Sequence, residues 1–243
     1  MLEFRNVTKK QGKFCLKDIS FQLEEGYLLG ILGKNGAGKS TLLNCMLESS
    51  GKYQGEIFYQ GKNIREEHQW FLGKCAYIAD DNQFFRLKTG IENVDLLGRF
   101  YEEMDRDKFI QYMKNMDLSW RKNIGAMSRG EFIRFQLAFG RAHNAKIYLL
   151  DEATAGMDPV FRREFYNILR DILAEESMVI MTTHIQSDSF IKSNLLVQKG
   201  SPLFPISCDN IIHHPYSKIN IRYKNIYCIL FLSVWIFPPV KKR

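Results

Sequence analysis

The chain has 243 residues, with 34 Lys and Arg against 27 Asp and Glu and a formal net charge of +7. Hydrophobic residues make up 45% and charged residues 25%, so there is apolar surface enough for a packed core, and a disordered chain is excluded. The longest apolar run, residues 226–237, is about twelve residues. Spanning a bilayer takes roughly 20, which excludes a multi-span membrane protein.

Ile19, Phe21 and Leu23 alternate with polar residues, the pattern of a half-buried strand. Residues 27–32, Tyr-Leu-Leu-Gly-Ile-Leu, form a short continuous apolar run, as a strand buried on both faces does. That run ends in a glycine-rich turn at residues 33–38. Leu42, Leu43, Met46 and Leu47 then fall at helical spacing, which predicts a helix stopped at Gly51. Residues 56–59 followed by Gln60-Gly61-Lys62-Asn63 predict a strand and hairpin turn. Residues 75–79 predict another buried strand. From about 91 to 140 the pattern is helical. Strands return at 147–150 and 178–182, separated by a helix over 159–173 with Pro159 in its first turn. Residues 195–198 predict a last strand. The fold class is α/β, interrupted by a helical block.

The positive charge is unevenly placed. From Ser201 onward Lys218, Arg222, Lys224, Lys241, Lys242 and Arg243 face Asp209 alone, so the body over residues 1–200 is nearly neutral. Attraction to anionic lipid or nucleic acid is therefore an argument for the tail only, and no nucleic-acid partner is expected. The tail carries Pro202, Pro205, Pro215, Pro238 and Pro239 and shows no clean period. Three readings stay open for it: a basic membrane-surface segment, a disordered extension, or a reading-frame change. Cys15, Cys45, Cys75, Cys208 and Cys228 form no CxxC, which argues for reduced thiols and against a zinc site. The opening MLEFRNVTKK has no apolar core for a secretory signal, so the Asn6-Val7-Thr8 sequon is read as a chance match.

Gly33-Lys34-Asn35-Gly36-Ala37-Gly38-Lys39-Ser40 fits G-x-x-x-x-G-K-[ST] without a mismatch, and it lies between a predicted buried strand and a predicted helix. The glycines let the backbone curl until successive N–H groups point at one oxyanion. The helix behind the loop adds its partial positive charge. Lys39 is placed to reach the β- and γ-phosphates, the Ser40 hydroxyl to ligate Mg²⁺, and Thr41 follows in the same first turn. This motif alone says P-loop nucleotidase.

The apolar strand at 147–150 ends in Asp151-Glu152. An acid at the exit of a buried strand has little solvent and needs a cation. Asp151 is the natural outer ligand of Mg²⁺, and Glu152 can take the proton of a water attacking the γ-phosphate. Read alone, the pair could equally cap a helix; the phosphate loop upstream favours the metal and base roles. Thr182-Thr183-His184 closes the next strand, on the sheet edge where open α/β sheets hold ligands.

Met127-Ser128-Arg129-Gly130-Glu131 lies between these motifs. Together with residues 33–40, Asp151-Glu152, Ala155-Gly156-Met157-Asp158 and His184, it resembles the ATP-binding cassette (ABC) ATPases over about residues 1–200. The resemblance implies a P-loop core with an N-terminal antiparallel β region, an inserted helical subdomain over about 88–143, and an atypical basic tail over 201–243. It implies two nucleotide-binding domains, homo- or heterodimeric, meeting head to tail around two ATP molecules and Mg²⁺. Ser128 and Gly130 of one subunit would face the γ-phosphate on the other. Asp158 would belong to the loop linking the two sites, and His184 would hold the γ-phosphate and the attacking water. Opening after hydrolysis would move a separate transmembrane permease at the cytoplasmic face of the cell membrane, and residues 84–92 resemble the surface that docks on it. The alternative is a soluble ABC ATPase acting on ribosomes or DNA.

Three departures from the family pattern stand out. Met127 and Arg129 replace Leu and the first Gly of LSGGQ. Asp80 stands where the family has glutamine; a carboxylate there can bond the metal's water or sense the γ-phosphate, and bacterial exporter-type subunits with an acid at that place look similar. The adenine-stacking aromatic would fall near Gln11, and Phe14 is the aromatic at hand.

Overall fold

The computed structural model describes residues 1–12, 14–33, 35–48, 52–81 and 84–183, with the backbone of 229–231. Lys34, Gly51, His184, the strand expected at 195–198 and the tail apart from 229–231 lie outside the described residues.

Two sheets carry the described fold. The first is antiparallel, built from β1 (Leu2–Gln11), β2 (Phe14–Leu23), β4 (Gln54–Tyr59) and the short β5 (Lys62–Asn63), in the order β2-β1-β4-β5. Its strands alternate buried and open residues except where β1 and β2 shift register, and Leu2, Phe4, Val7, Ile19, Phe21, Leu23, Ile57 and Tyr59 are all buried in one core. Phe4 and Phe21 stand directly across the β1–β2 pair, with ring centroids 4.3 Å apart.

The second sheet has the order β6-β7-β8-β3-β9, from β3 (Leu28–Leu32), β6 (Cys75–Ile78), β7 (Ile147–Asp151), β8 (Met178–Thr183) and β9 (Ile229–Phe231). The pairs β6–β7, β7–β8 and β8–β3 are parallel, and β9 runs antiparallel to β3. The strand β9 is the one described element of the tail, which the sequence had left unplaced. Residues 147–150 and 178–183 are buried without interruption, as in a sheet covered on both faces. One face packs on the antiparallel sheet through Leu29, Ile31, Leu149 and Ile180. The other packs on α6 (Pro159–Ala174) through Tyr148, Leu150, Val179, Phe165 and Leu169.

Between β6 and β7 the chain forms α3 (Gly90–Leu97), α4 (Arg106–Asn115) and α5 (Arg129–Ala142), with 3₁₀ turns at Gly98–Phe100 and Ile124–Ala126. These helices have their own core of Val94, Phe109, Met113, Phe135 and Phe139. Phe84 inserts edge-on against Phe135 and Phe139, at 4.8 and 5.1 Å. Each helix start is capped locally. Thr89 and Glu92 form a capping box on α3, and Asp105 caps α4. Backbone and hydroxyl bonds from Thr89 pull the Glu92 carboxyl down to about 2. Asn93, fully buried, bonds the backbone of Phe85 at both its N–H and C=O and so fixes the loop ahead of α3.

Two helices differ from expectation. The helix after the glycine turn, α1 (Lys39–Leu47), ends before Gly51: Glu48 is already extended, and its N–H closes on Asn44. The helix α2 (His68–Gly73) was not expected, because at six residues it is too short to show a period and fully buries only Phe71.

Gly55 in β4 sits at φ +83, opposite a register shift in β1. A Cβ there would lie 2.4 Å from the Asn6 carbonyl oxygen and 2.5 Å from that of Arg5. Backbone cannot yield cheaply, so Gly55→Ala should destabilise by about 1–3 kcal/mol or more from the φ alone. Thermal unfolding checks this, with a fall of roughly 2–4 °C per kcal/mol expected for a domain of this size.

Candidate nucleotide site

The C-terminal ends of β3, β6, β7 and β8 open onto one edge of the parallel sheet, so the turns that follow β3, β6 and β7 converge. The turn after β3 runs from Gly33 to Gly38, with Gly36 at φ +79 and Gly38 at φ +92. A Cβ at Gly36 would meet nothing within 4 Å. At Gly38 it would lie 2.2 Å from Phe14 Cζ, so the half-buried Phe14 ring rests on the loop and only glycine fits beneath it. Leu42 N–H makes the first intrahelical bond, to Gly38 C=O at 3.0 Å. The N–H groups of Lys39, Ser40 and Thr41 come before it in α1 and point out of the helix end. The Thr41 hydroxyl donates to Gln11 at 3.2 Å, which ties α1 to the end of β1.

The Lys39 ammonium is almost fully buried. It donates to the Gly33 carbonyl at 2.9 Å and lies 3.1 Å from Glu152 Oε1. Residues 113 positions apart in the chain are thereby held in one contact. Glu152 itself has φ +49, a left-handed backbone that a non-glycine residue adopts only when its surroundings hold it. Its N–H donates to Thr182 Oγ1 at 3.0 Å, and the Thr182 hydroxyl donates to Asp151 Oδ1 at 2.5 Å. One buried threonine from β8 thus orients both acids at the end of β7. Sequence reasoning placed Thr182 only as a strand residue; its hydroxyl on an otherwise apolar strand was the available signal. Tyr77 in β6 is pushed above the ordinary phenol range by burial, with the charges of Asp151 and Asp81 adding to the effect.

The hard oxygen donors Ser40 and Asp151 suit Mg²⁺. Among the described residues no group of three or more His, Cys, Asp or Glu gathers as a metal cage.

A profile of the ABC transporter family matches residues 16–155, more than half of the chain. The chain belongs to the ABC transporter family. An uncharacterized ABC transporter ATP-binding protein of Bacillus subtilis is 29% identical over 206 residues, 82% of this chain and 68% of its own length. The energy-coupling factor transporter ATP-binding protein EcfA1 of Staphylococcus aureus is 29% identical over 219 residues, 84% of this chain and 80% of its own. The chain spans between 43% and 68% of the length of the first curated relatives. Among solved structures, a dimeric ATP-binding cassette in a post-hydrolysis state bound to ADP and Pi superposes with a TM-score of 0.65. It shares 25% identity, and the match covers 76% of this chain and 88% of that one. By family, then, this is the ATP-binding subunit of an ABC transporter and an ATP hydrolase, and its core is the P-loop α/β fold.

The remaining candidate residues of the ABC subunit sit at helix starts. Ser128 caps α5, its Oγ accepting from Glu131 N–H at 3.3 Å while the Glu131 carboxylate accepts from Ser128 N–H at 2.7 Å. Lys122 and the Ser128 N–H together lower the Glu131 pKa. Gly130 is pressed against Phe161: a Cβ would come within 3.1 Å of that ring. Asp158 caps α6, accepting from Val160 and Phe161 N–H at 3.0 and 2.9 Å.

Asp80 does not stand alone. Arg129 Nε donates to its two oxygens at 2.7 and 3.0 Å. Just before it, buried Gln136 of α5 clamps Ala79, accepting from its N–H and donating to its C=O, both at 3.1 Å. Sequence reasoning missed Gln136; a glutamine on the buried face of α5 was the signal.

Proposed function

We propose that this chain hydrolyses ATP in a head-to-tail pair of cassettes and so drives a separate membrane permease. The observation that carries the proposal is the 3.1 Å contact between Lys39 and Glu152, which puts the phosphate-binding lysine and the acid after β7 in one site. The backbone of residues 33–41, with Lys34, Asn35, Gly36 and Ala37 in the turn, cradles the phosphates. Lys39 gives up Glu152 for the β- and γ-phosphate oxygens. Glu152, released, faces the attacking water and takes its proton. Ser40 and Asp151 would hold Mg²⁺, which when bound supplies charge neutralisation on the phosphate oxygens. Asp80 would reach the metal's water only by leaving Arg129. His184, next after β8, is proposed to hold the γ-phosphate, and Phe14, already seated on the loop, to stack the base.

Ser128 and Gly130 act on the phosphate held by the partner subunit, through the N-terminus of α5. The dimeric cassette to which the chain is similar supports this arrangement. Phe85 and Leu87, at 51% and 91% exposure, stand out from the loop ahead of α3 and offer the permease an apolar foothold. No helix among the described residues is long and apolar enough to cross a membrane, in keeping with a peripheral place at the cytoplasmic face. Export is the direction that the acid at position 80 favours, while the energy-coupling factor relative speaks for a different class of transporter.

The test is phosphate release from MgATP against subunit concentration, with and without chelator, followed by a pull-down from solubilised membranes. Magnesium-dependent turnover per subunit that rises with concentration, and a co-purifying permease, are expected. Turnover independent of concentration, or capture of ribosomes instead of a permease, would overturn the proposal.

A further inference from the structure

We propose that Asp80 and Arg129 form one charged latch that positions Glu152. The inference rests on the reading of Glu152 as the base and goes beyond it. Arg129 is the first residue of α5. Its Nε donates to both oxygens of Asp80, at 2.7 and 3.0 Å, and its Nη2 donates to the Glu152 carbonyl at 3.2 Å. A Cβ on Gly156 would lie 3.5 Å from Nη1, so the guanidinium lies against the turn after β7. Three segments meet on this one planar cation: the start of α5, the turn after β6 and the turn after β7. A guanidinium suits the task, because its donors are fixed in a fork and one group can serve two acceptors at once.

Glu152 needs holding. Its left-handed backbone, φ +49, is costly for a residue with a Cβ. Its N–H is held by Thr182, and its carbonyl accepts from Ala155 N–H at 3.0 Å and from Arg129. Asp80 can anchor the arginine firmly because the Gln136 clamp fixes the residue before it.

Each member is unfavourable alone. Arg129 puts a cation at the positive end of α5. Asp80 puts a carboxylate beside a site for a polyanion. Paired, each cancels the other's penalty, so the two departures at positions 80 and 129 are one joint feature. The pair is partly exposed, with side chains 35% and 60% accessible, and such pairs contribute little to stability. What it sets is the place of the Glu152 backbone, and hence the line of attack.

The experiment measures kcat and KM for MgATP, with ATP affinity by calorimetry, in R129A, R129K, D80N and the R129A/D80N double variant. Each single variant should lose roughly 10- to 100-fold in kcat, the scale of a displaced catalytic group, with ATP affinity little changed. R129K keeps a cation for Asp80 but lacks the fork to Glu152, so it should fall with R129A. The double variant should be no slower than the worse single one, since both break the same latch. Either of two results overturns the latch: kcat within about twofold of wild type in R129A and R129K, or losses that multiply in the double variant. If E152Q loses turnover while R129A keeps it, the latch fails and the base assignment stands; a wild-type chain without ATPase activity would overturn both.

Discussion

Glu152→Gln is expected to bind ATP as the wild type does and to turn it over roughly 10²–10⁴ times more slowly, the range for a lost general base. Glutamine has the shape of glutamate and can still accept a hydrogen bond from Lys39, 3.1 Å from the present carboxylate. The bonds that hold the residue's backbone run through its N–H and C=O, to Thr182, Ala155 and Arg129, and the substitution leaves them intact. Only the capacity to take a proton is lost. Single-turnover phosphate release, set beside calorimetric ATP binding, separates the two effects. Near-normal release would remove Glu152 from the chemistry.

Lys39→Ala should act on the opposite half of the site. The ammonium is buried, donates to Gly33 and faces Glu152. A triphosphate must take over that ammonium, and a hydrogen bond to a charged group contributes about 1.5–3 kcal/mol. Its loss corresponds to roughly 10- to 150-fold weaker ATP binding. The same change removes the Lys39 contact from Glu152. ATP titration of Lys39→Ala checks this; an unchanged dissociation constant would mean that the glycine turn does not present Lys39 to the phosphates.

Much of the fold is legible in the sequence because short buried strands and glycine turns leave local marks. Residues 147–150 and 178–181 are uninterrupted apolar runs, and they lie in β7 and β8. Pro159 opens α6 at its first position, behind the Asp158 cap. The short helix α2 leaves no such mark. The order of the parallel strands, with β8 between β7 and β3, is likewise absent from local pattern, because it is decided by which apolar faces must share two layers.

The site divides the same way. The phosphate loop and Asp151-Glu152 carry their chemistry in consecutive residues. The Thr182 bridge joins residues about thirty apart, the Arg129–Asp80 pair residues 49 apart, and the Gln136 clamp residues 57 apart. A sequence shows Arg129 and Asp80 as two separate oddities. Only the fold, which brings the start of α5 to the turn after β6, makes them one ion pair.

The account turns on a triphosphate shared between the glycine turn of one chain and the Ser128-capped helix of another. Sedimentation of Glu152→Gln, with and without MgATP, tests it most directly. The 28.5 kDa chain should double in mass when MgATP is added, and Ser128→Arg in the same background should stop the pairing. A Glu152→Gln chain that stays at monomer mass in saturating MgATP would contradict the account.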